Sequence, residues 1–207
     1  MLTLYYARNT CALASHIALE EAGAAYKARR VDFAAAEQTK PEYLAINPKG
    51  RVPALGTTRG VLTETPAILV YVAQTHPAAR LAPFDDPFAF AQLHAFLSYL
   101  CSTVHVAHAH RFRGARWADD PAAWEAMRAK VPQSMGACFD LIERSLFRGP
   151  WVMGEAFTVA DPYLFTIATW LEGDGVDVAA FPRVRDHRRR MAERPAVKRA
   201  LAVESAG

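Results

Sequence analysis

Cysteine is scarce in this chain. Only Cys11, Cys101 and Cys138 occur in 207 residues, far apart and with no CxxC pair among them. That excludes a disulfide scaffold, and an odd, sparse set reads as free thiols in a reducing compartment. Long apolar runs are lacking as well. No window reaches the roughly 18 consecutive apolar residues that a membrane span needs. MLTLYYARNT carries no basic stretch followed by an apolar one, so the expectation is a cytoplasmic chain without a signal peptide. Nor is there an excess of one charge: 24 Lys and Arg face 21 Asp and Glu, a formal +3. So small a total does not argue for a nucleic-acid partner. Apolar residues, by contrast, make up 52% of the chain, against about 45–50% in typical globular proteins. A chain of this length and make-up buries a sizeable core without staples.

The two halves follow different periods. Leu2 to Tyr6 is a strand candidate, and Cys11 to Gly23 repeats apolar residues at helical spacing, with Gly23 as the stop. Tyr26 to Phe33 reads as a second strand. The turn cluster Asn47-Pro48-Lys49-Gly50 leads into Val52-Pro53-Ala54-Leu55, and Gly60 separates that run from Val61-Leu62, which suits a hairpin. Thr65 to Thr75 is helical, with Pro66 accepted at a helix start. The order βαβ then ββα describes a small α/β domain over residues 1–78. Residues 79–87, rich in proline and holding Asp85-Asp86, read as a linker. From 88 to 207 the periods are helical throughout: Phe88 to about Phe112, Pro121 to Phe147 with Pro132 expected to kink it or begin a new helix, Thr158 to Trp170, Pro182 to Arg194, and a short helix from Pro195. The fold class is α/β plus all-α.

Three places in the first domain carry chemistry. Cys11 stands between a strand and a helix, where free N–H groups and the macrodipole favour an anion, its own thiolate or a ligand's; the plain alternative is a small buried hydrophobe. Tyr5 and Tyr6 end the preceding strand and have hydroxyls to offer the same place, though one must face the core. Pro53 opens a strand, and a cis Val52–Pro53 bond leaves the Val52 backbone free to pair with an extended peptide; the alternative is an ordinary trans proline at an edge. Glu64-Thr65 precedes a helical run, with Thr65 a natural N-cap and Glu64 an answer to an ammonium group. A thiol, a peptide backbone and an amino-acid carboxylate with its amine together describe glutathione.

MLTLYYARNTCALASHIALEEAG, YLAINPKGRVPALG and LTETPAILVYVA resemble the first domain of bacterial beta-class glutathione transferases, and FTVADPYLF resembles a capping-box segment of their second domain. The resemblance covers nearly the whole chain. It implies a thioredoxin-like domain, a helical-bundle domain and a homodimer with active sites at the domain boundary. It also implies glutathione as co-substrate, with no permanently bound cofactor. By the same resemblance Cys11 contacts, or forms a mixed disulfide with, the glutathione sulfur, and Val52 before the cis-proline Pro53 pairs with the cysteinyl backbone. Glu64 and Thr65 hold the γ-glutamyl end, His105 faces the sulfur, and Ser102 lines the glutathione pocket, its own or that of the partner subunit. Trp170 belongs to the electrophile cleft. Two positions depart from the family: Ala12 stands where Ser is usual, and the family's glutathione-binding Lys has no clear match in AAAEQTK, which leaves Asn9, Thr10 and Arg51 as substitutes.

In the second half, Leu93, Leu97, Leu100 and Val104 keep a core spacing, and His94, Cys101, His105 and His108 form a neighbouring stripe. His94 and Cys101 are two turns apart, too far to share an ion; only His105 and His108 are close enough, so a polar helix face is preferred to a metal site. Thr158 and Asp161 fit a capping box with a structural role. Arg183 to Arg199 holds eight basic residues and no aromatic, the pattern of a solvated helix face. Three functions are consistent with this. The first is conjugation of glutathione thiolate to a hydrophobic electrophile against Phe112, Trp117 and Trp170. The second is a glutathione-dependent thiol–disulfide reductase or peroxidase using Cys11, and the third a non-enzymatic binding protein on the same fold.

Overall fold

The computed structural model describes residues 1–206. The chain divides into two compact units, one of residues 1–90 and 191 onward, the other of residues 91–190. In the first unit β1 (Leu2–Tyr6), α1 (Ala12–Glu21) and β2 (Tyr26–Arg30) form the βαβ half, with β1 and β2 parallel. A single turn of helix, α2 (Pro41–Leu44), precedes the hairpin β3 (Ala54–Thr57) and β4 (Gly60–Thr63), and α3 (Thr65–Thr75) closes the motif. The sheet order is β2-β1-β3-β4, with Leu4 opposite Leu55 and Leu55 opposite Leu62 across antiparallel pairs. β2 stops three residues short of the expected Phe33, because the Asp32 carboxylate accepts the N–H groups of Ala34 and Ala35 and turns the chain.

Period-2 alternation decides which tyrosine of β1 is internal. Tyr6 is buried, its ring against His16 and its hydroxyl directed to the Val203 carbonyl, while Tyr5 packs on Tyr43 under the Arg29 guanidinium. The Tyr6 hydroxyl is thus turned to Val203, which corrects the expectation that it serves Cys11. α1 is buried along Ala12–Leu19 and ends at Gly23, whose φ of +64° is the left-handed cap expected there. The last helix, α9 (Pro195–Ala206), ties the C-terminal segment to α1: Arg194 pairs with Glu21, Arg199 with Glu20, and buried His16 with Glu204.

The second unit is helical. α4 (Pro87–Tyr99) leads through a π turn at Leu100–Val104 into α5 (His105–Ala109). The expected core stripe is real, with Leu93, Leu97, Leu100 and Val104 all wholly buried, each worth about 1.5–3 kcal/mol. The π turn bonds one residue further along than an α-helix does and so rotates α5 about the helix axis. α6 (Pro121–Leu141) runs unbroken through Pro132, so no new helix begins there. It is capped by Asp120, whose carboxylate accepts the Ala122 N–H. α7 (Ala160–Ala168) comes next, buried along its whole length, then α8 (Pro182–Glu193), which leads into α9. Asp161 anchors this region. Its carboxylate accepts from the backbone of Thr158 and Val152 and from His187, all out of water, so the capping segment is structural as expected. No helix among the described residues is long and apolar enough to cross a membrane.

Candidate functional site

Cys11 is the N-cap of α1 and only 8% exposed. The N–H groups that open the helix are already used. Ala12 donates to the Thr10 hydroxyl, Leu13 to the Thr10 carbonyl and Ala14 to the Cys11 carbonyl. What the helix start still offers the sulfur is the Cys11 backbone itself. The thiol itself donates to the Val52 carbonyl at 3.6 Å. Burial pushes its pKa up from 9.0 to about 11, helped by the Glu64 charge, and the Thr65 side chain, the Cys11 backbone and the Arg51 charge only partly offset this. The expected depression of the Cys11 pKa is therefore corrected: desolvation outweighs the helix terminus. At neutral pH Cys11 is a protonated hydrogen-bond donor.

Val52–Pro53 is cis, as expected. Two buried side chains hold the peptide that precedes it, since Tyr43 Oη and Asn47 Nδ2 both donate to the Arg51 carbonyl at 2.7 Å. The Asn47 carboxamide oxygen also accepts the Lys49 N–H. These bonds fix the loop from 47 to 52 and so orient the Val52 amide, whose N–H makes no hydrogen bond among the described residues. Sequence reasoning misses Tyr43 and Asn47 as supports of the site; the only signal for them is the turn cluster that contains Asn47.

Thr65 is not the N-cap of α3. Glu64 takes that place at φ +72°, in the left-handed region, with no side-chain cap bond, and Thr65 is the buried first helical residue. The geometry turns the Glu64 carboxylate outward, where Lys49 Nζ donates to it at 2.6 Å and to the Thr63 hydroxyl at 3.0 Å. Lys49 thus sets a cation beside Glu64, a neighbour that spacing alone does not indicate. In the first unit the structure brings together Cys11, Val52, Pro53, Glu64 and Thr65, all named from the sequence.

In the second unit His105 lies 5.0 Å ring to ring from Trp170, which is 8% exposed. His108 stacks on the same indole at 4.2 Å and 22°. Its Nδ1 meets the Asp174 carboxylate at 2.7 Å, and Arg111 meets the other oxygen at 3.3 Å. Ser102 sits exposed on the π turn, donating to the Ser98 carbonyl. Of the expected aromatic wall, Phe112 neighbours His108 at 6.4 Å, whereas Trp117 packs on His110. No group of three or more metal-ligating side chains converges among the described residues.

A four-stranded α/β unit with a cis-proline loop beside a helix-capping cysteine, continued by a helical unit, defines a thioredoxin-like domain joined to an all-helical one. Comparison with known proteins sharpens this. Residues 1–74 match the glutathione S-transferase N-terminal domain, and residues 121–190 match the glutathione S-transferase C-terminal domain. The chain is 32% identical to glutathione S-transferase GstA of Escherichia coli O157:H7, with 98% of both chains covered. A Sulfitobacter glutathione transferase homologue, solved with glutathione bound, is 52% identical and superposes with a TM-score of 0.95 over 100% of this chain and 98% of that one. The bacterial beta-class enzyme of Sphingomonas chungbukensis is 35% identical at a TM-score of 0.86, over 99% and 100%. The chain belongs to the glutathione S-transferase family and is a beta-like bacterial member of it. More distant relatives bear other names: a maleylacetoacetate isomerase of Pseudomonas aeruginosa at 29% identity (94% and 92% covered), and the disulfide-bond oxidoreductase YfcG of Escherichia coli at 26% (97% and 94%).

Proposed function

We propose that this enzyme conjugates the thiolate of glutathione to a small hydrophobic electrophile. The state of Cys11 carries the choice between conjugation and redox chemistry. A thiol that is buried, bonded to the Val52 carbonyl and shifted to a pKa of about 11 is a poor nucleophile at neutral pH. Its single S–H can turn from the Val52 carbonyl to a ligand's sulfur anion, and that hydrogen bond lowers the ligand sulfur's pKa instead. Val52 offers its N–H and carbonyl to the cysteinyl backbone of glutathione, Pro53 shaping the loop. Glu64 answers the γ-glutamyl ammonium, and Lys49 and Thr65 its carboxylate. That assignment supplies a cation where the family's usual Lys has no match. His105 and Ser102 take their roles, toward sulfur and pocket respectively, from the family resemblance, and Trp170 offers the electrophile an aromatic wall.

Residues 1–78 serve glutathione in this reading. The helical residues after 88 supply the electrophile wall and the contacts of a cytoplasmic homodimer. The relative named as a disulfide-bond oxidoreductase keeps a second reading open, with Cys11 exchanging disulfides with glutathione. Steady-state rates of the wild type and Cys11→Ala, with an aryl halide and with a glutathione mixed disulfide, separate the two. Conjugation that survives the substitution within about tenfold supports the transferase reading. Loss of disulfide turnover with little conjugation to begin with would put the reductase in its place. No glutathione binding by calorimetry at millimolar ligand would remove both.

A further inference from the structure

The helical unit holds a polar cluster for which glutathione binding has no use. The Asp174 side chain is wholly buried, and its two oxygens are divided between two donors: His108 Nδ1 at 2.7 Å and Arg111 at 3.3 Å. A structural staple needs only Arg111, whose fork satisfies both oxygens of a carboxylate at once. Here one oxygen is kept for an imidazole. The carboxylate can only accept, so Nδ1 carries a proton, and a ring holding that proton alone presents its lone pair at Nε2. Nε2 has no hydrogen-bond partner among the described residues, and the side chain is 17% exposed. Stacking on Trp170 at 4.2 Å prevents the ring from tilting.

The surroundings are built to hold this arrangement. A Cβ on Gly173 would stand 2.6 Å from the Arg111 guanidinium, so glycine leaves the space in which Arg111 reaches Asp174. The same guanidinium lies 4.5 Å over the Phe112 ring. An oriented acceptor therefore sits among flat aromatic groups.

We propose that His108, oriented by Asp174 and Arg111, accepts a hydrogen bond from the hydroxyl of an aromatic or conjugated substrate, so that phenolic and enolic electrophiles are preferred over their ethers. The acceptor requires an O–H, and Trp170 and Phe112 require a flat apolar body; together they select that class. His108 touches the ligand, while Asp174 and Arg111 are positioning residues. The inference rests on the transferase reading for turnover and not for binding.

The probes are para-hydroxychalcone, a conjugated enone, and its methyl ether, followed both by glutathione conjugation and by calorimetric binding without glutathione. In the wild type, the ratio of kcat/KM and the ratio of affinities favour the hydroxyl compound by about tenfold, the worth of one hydrogen bond. His108→Phe keeps the stacked ring and brings both ratios to within about twofold of one. His108→Gln, which retains an acceptor, restores part of the preference. Asp174→Asn lets an amide donate to Nδ1, moves the ring proton to Nε2, and abolishes or inverts the preference. Gly173→Ala chiefly displaces Arg111, with a lesser press on the Trp170 carbonyl, and lowers the preference less. A merely structural cluster moves stability and leaves the ratios alone, because each is taken within one folded variant. A wild-type ratio near one, or a ratio unchanged in His108→Phe, overturns the proposal. If the wild type turns over no electrophile, the transferase reading fails, and the binding ratio alone decides this one.

Discussion

The two units handle polar groups in opposite ways. Around Cys11 they are spent internally: the first N–H groups of α1 are bonded, the thiol leans on the Val52 carbonyl, and burial keeps it neutral. Around His108 a buried charge is kept, but it is divided so that one imidazole nitrogen stays open. The contrast shows that a helix N-terminus does not by itself make a reactive thiol. Desolvation decides, and it is set by how completely the surrounding turns consume their own donors.

The largest effect should fall on the first unit alone. Glu64→Ala removes the charged partner proposed for the γ-glutamyl ammonium, worth about 1.5–3 kcal/mol, or roughly 10- to 100-fold in Kd. Calorimetry with glutathione measures the loss, while the hydroxyl-to-ether ratio at His108 stays as it was. If both change together, the two regions are not independent. Asn47→Ala comes next. It strips one of two donors from the Arg51 carbonyl and should cost about 0.5–1.5 kcal/mol in urea unfolding, with weaker glutathione binding because the Val52 amide loses its support. Binding that is unaffected despite the lost stability would detach the loop from the site.

A smaller effect concerns pH. The folded thiol of Cys11 titrates near 11, above its ordinary 9.0. Folding therefore disfavours the thiolate, and stability present below pH 9 drains away as the pH rises toward 11. Alkylation of Cys11 in the ligand-free protein, followed by mass spectrometry, should be slow at pH 7 and still climbing above pH 9. A plateau below pH 8 would mean that the helix terminus wins after all. Smallest of all, Gly173→Ala meets the far end of Arg111 at 2.6 Å and the Trp170 carbonyl at 3.3 Å and should cost about 0.5–1 kcal/mol in unfolding.

Much of the first unit is legible in the chain. Leu2 to Tyr6, the α1 period with its Gly23 stop, the cis-proline and Glu64-Thr65 are local patterns, and local geometry produces them. The cap of α3 lies one residue earlier than the sequence suggests, because a Glu at positive φ is not a preference that sequence displays. Lys49, Tyr43 and Asn47 join the site through hydrogen bonds that span 4 to 15 residues along the loop and hairpin, which periodicity does not report. The second unit is legible as helices and a buried stripe, but not as a site. His108, Arg111 and Asp174 meet across 63 to 66 residues, beyond a π turn that no residue preference announces. The acid that orients His108 lies in a turn after α7, where one Asp among several looks like any other.

Whether Cys11 donates to a thiolate or is one itself can be read from the thiolate absorbance in the far ultraviolet. The measurement is made at neutral pH with and without glutathione, for the wild type and for Cys11→Ala. The ligand-free wild type should show no thiolate signal. One should appear when glutathione binds, and it should weaken without vanishing in Cys11→Ala, which lacks the donor. A thiolate already present without ligand, and absent from Cys11→Ala, would make Cys11 the nucleophile and overturn its role as a neutral donor.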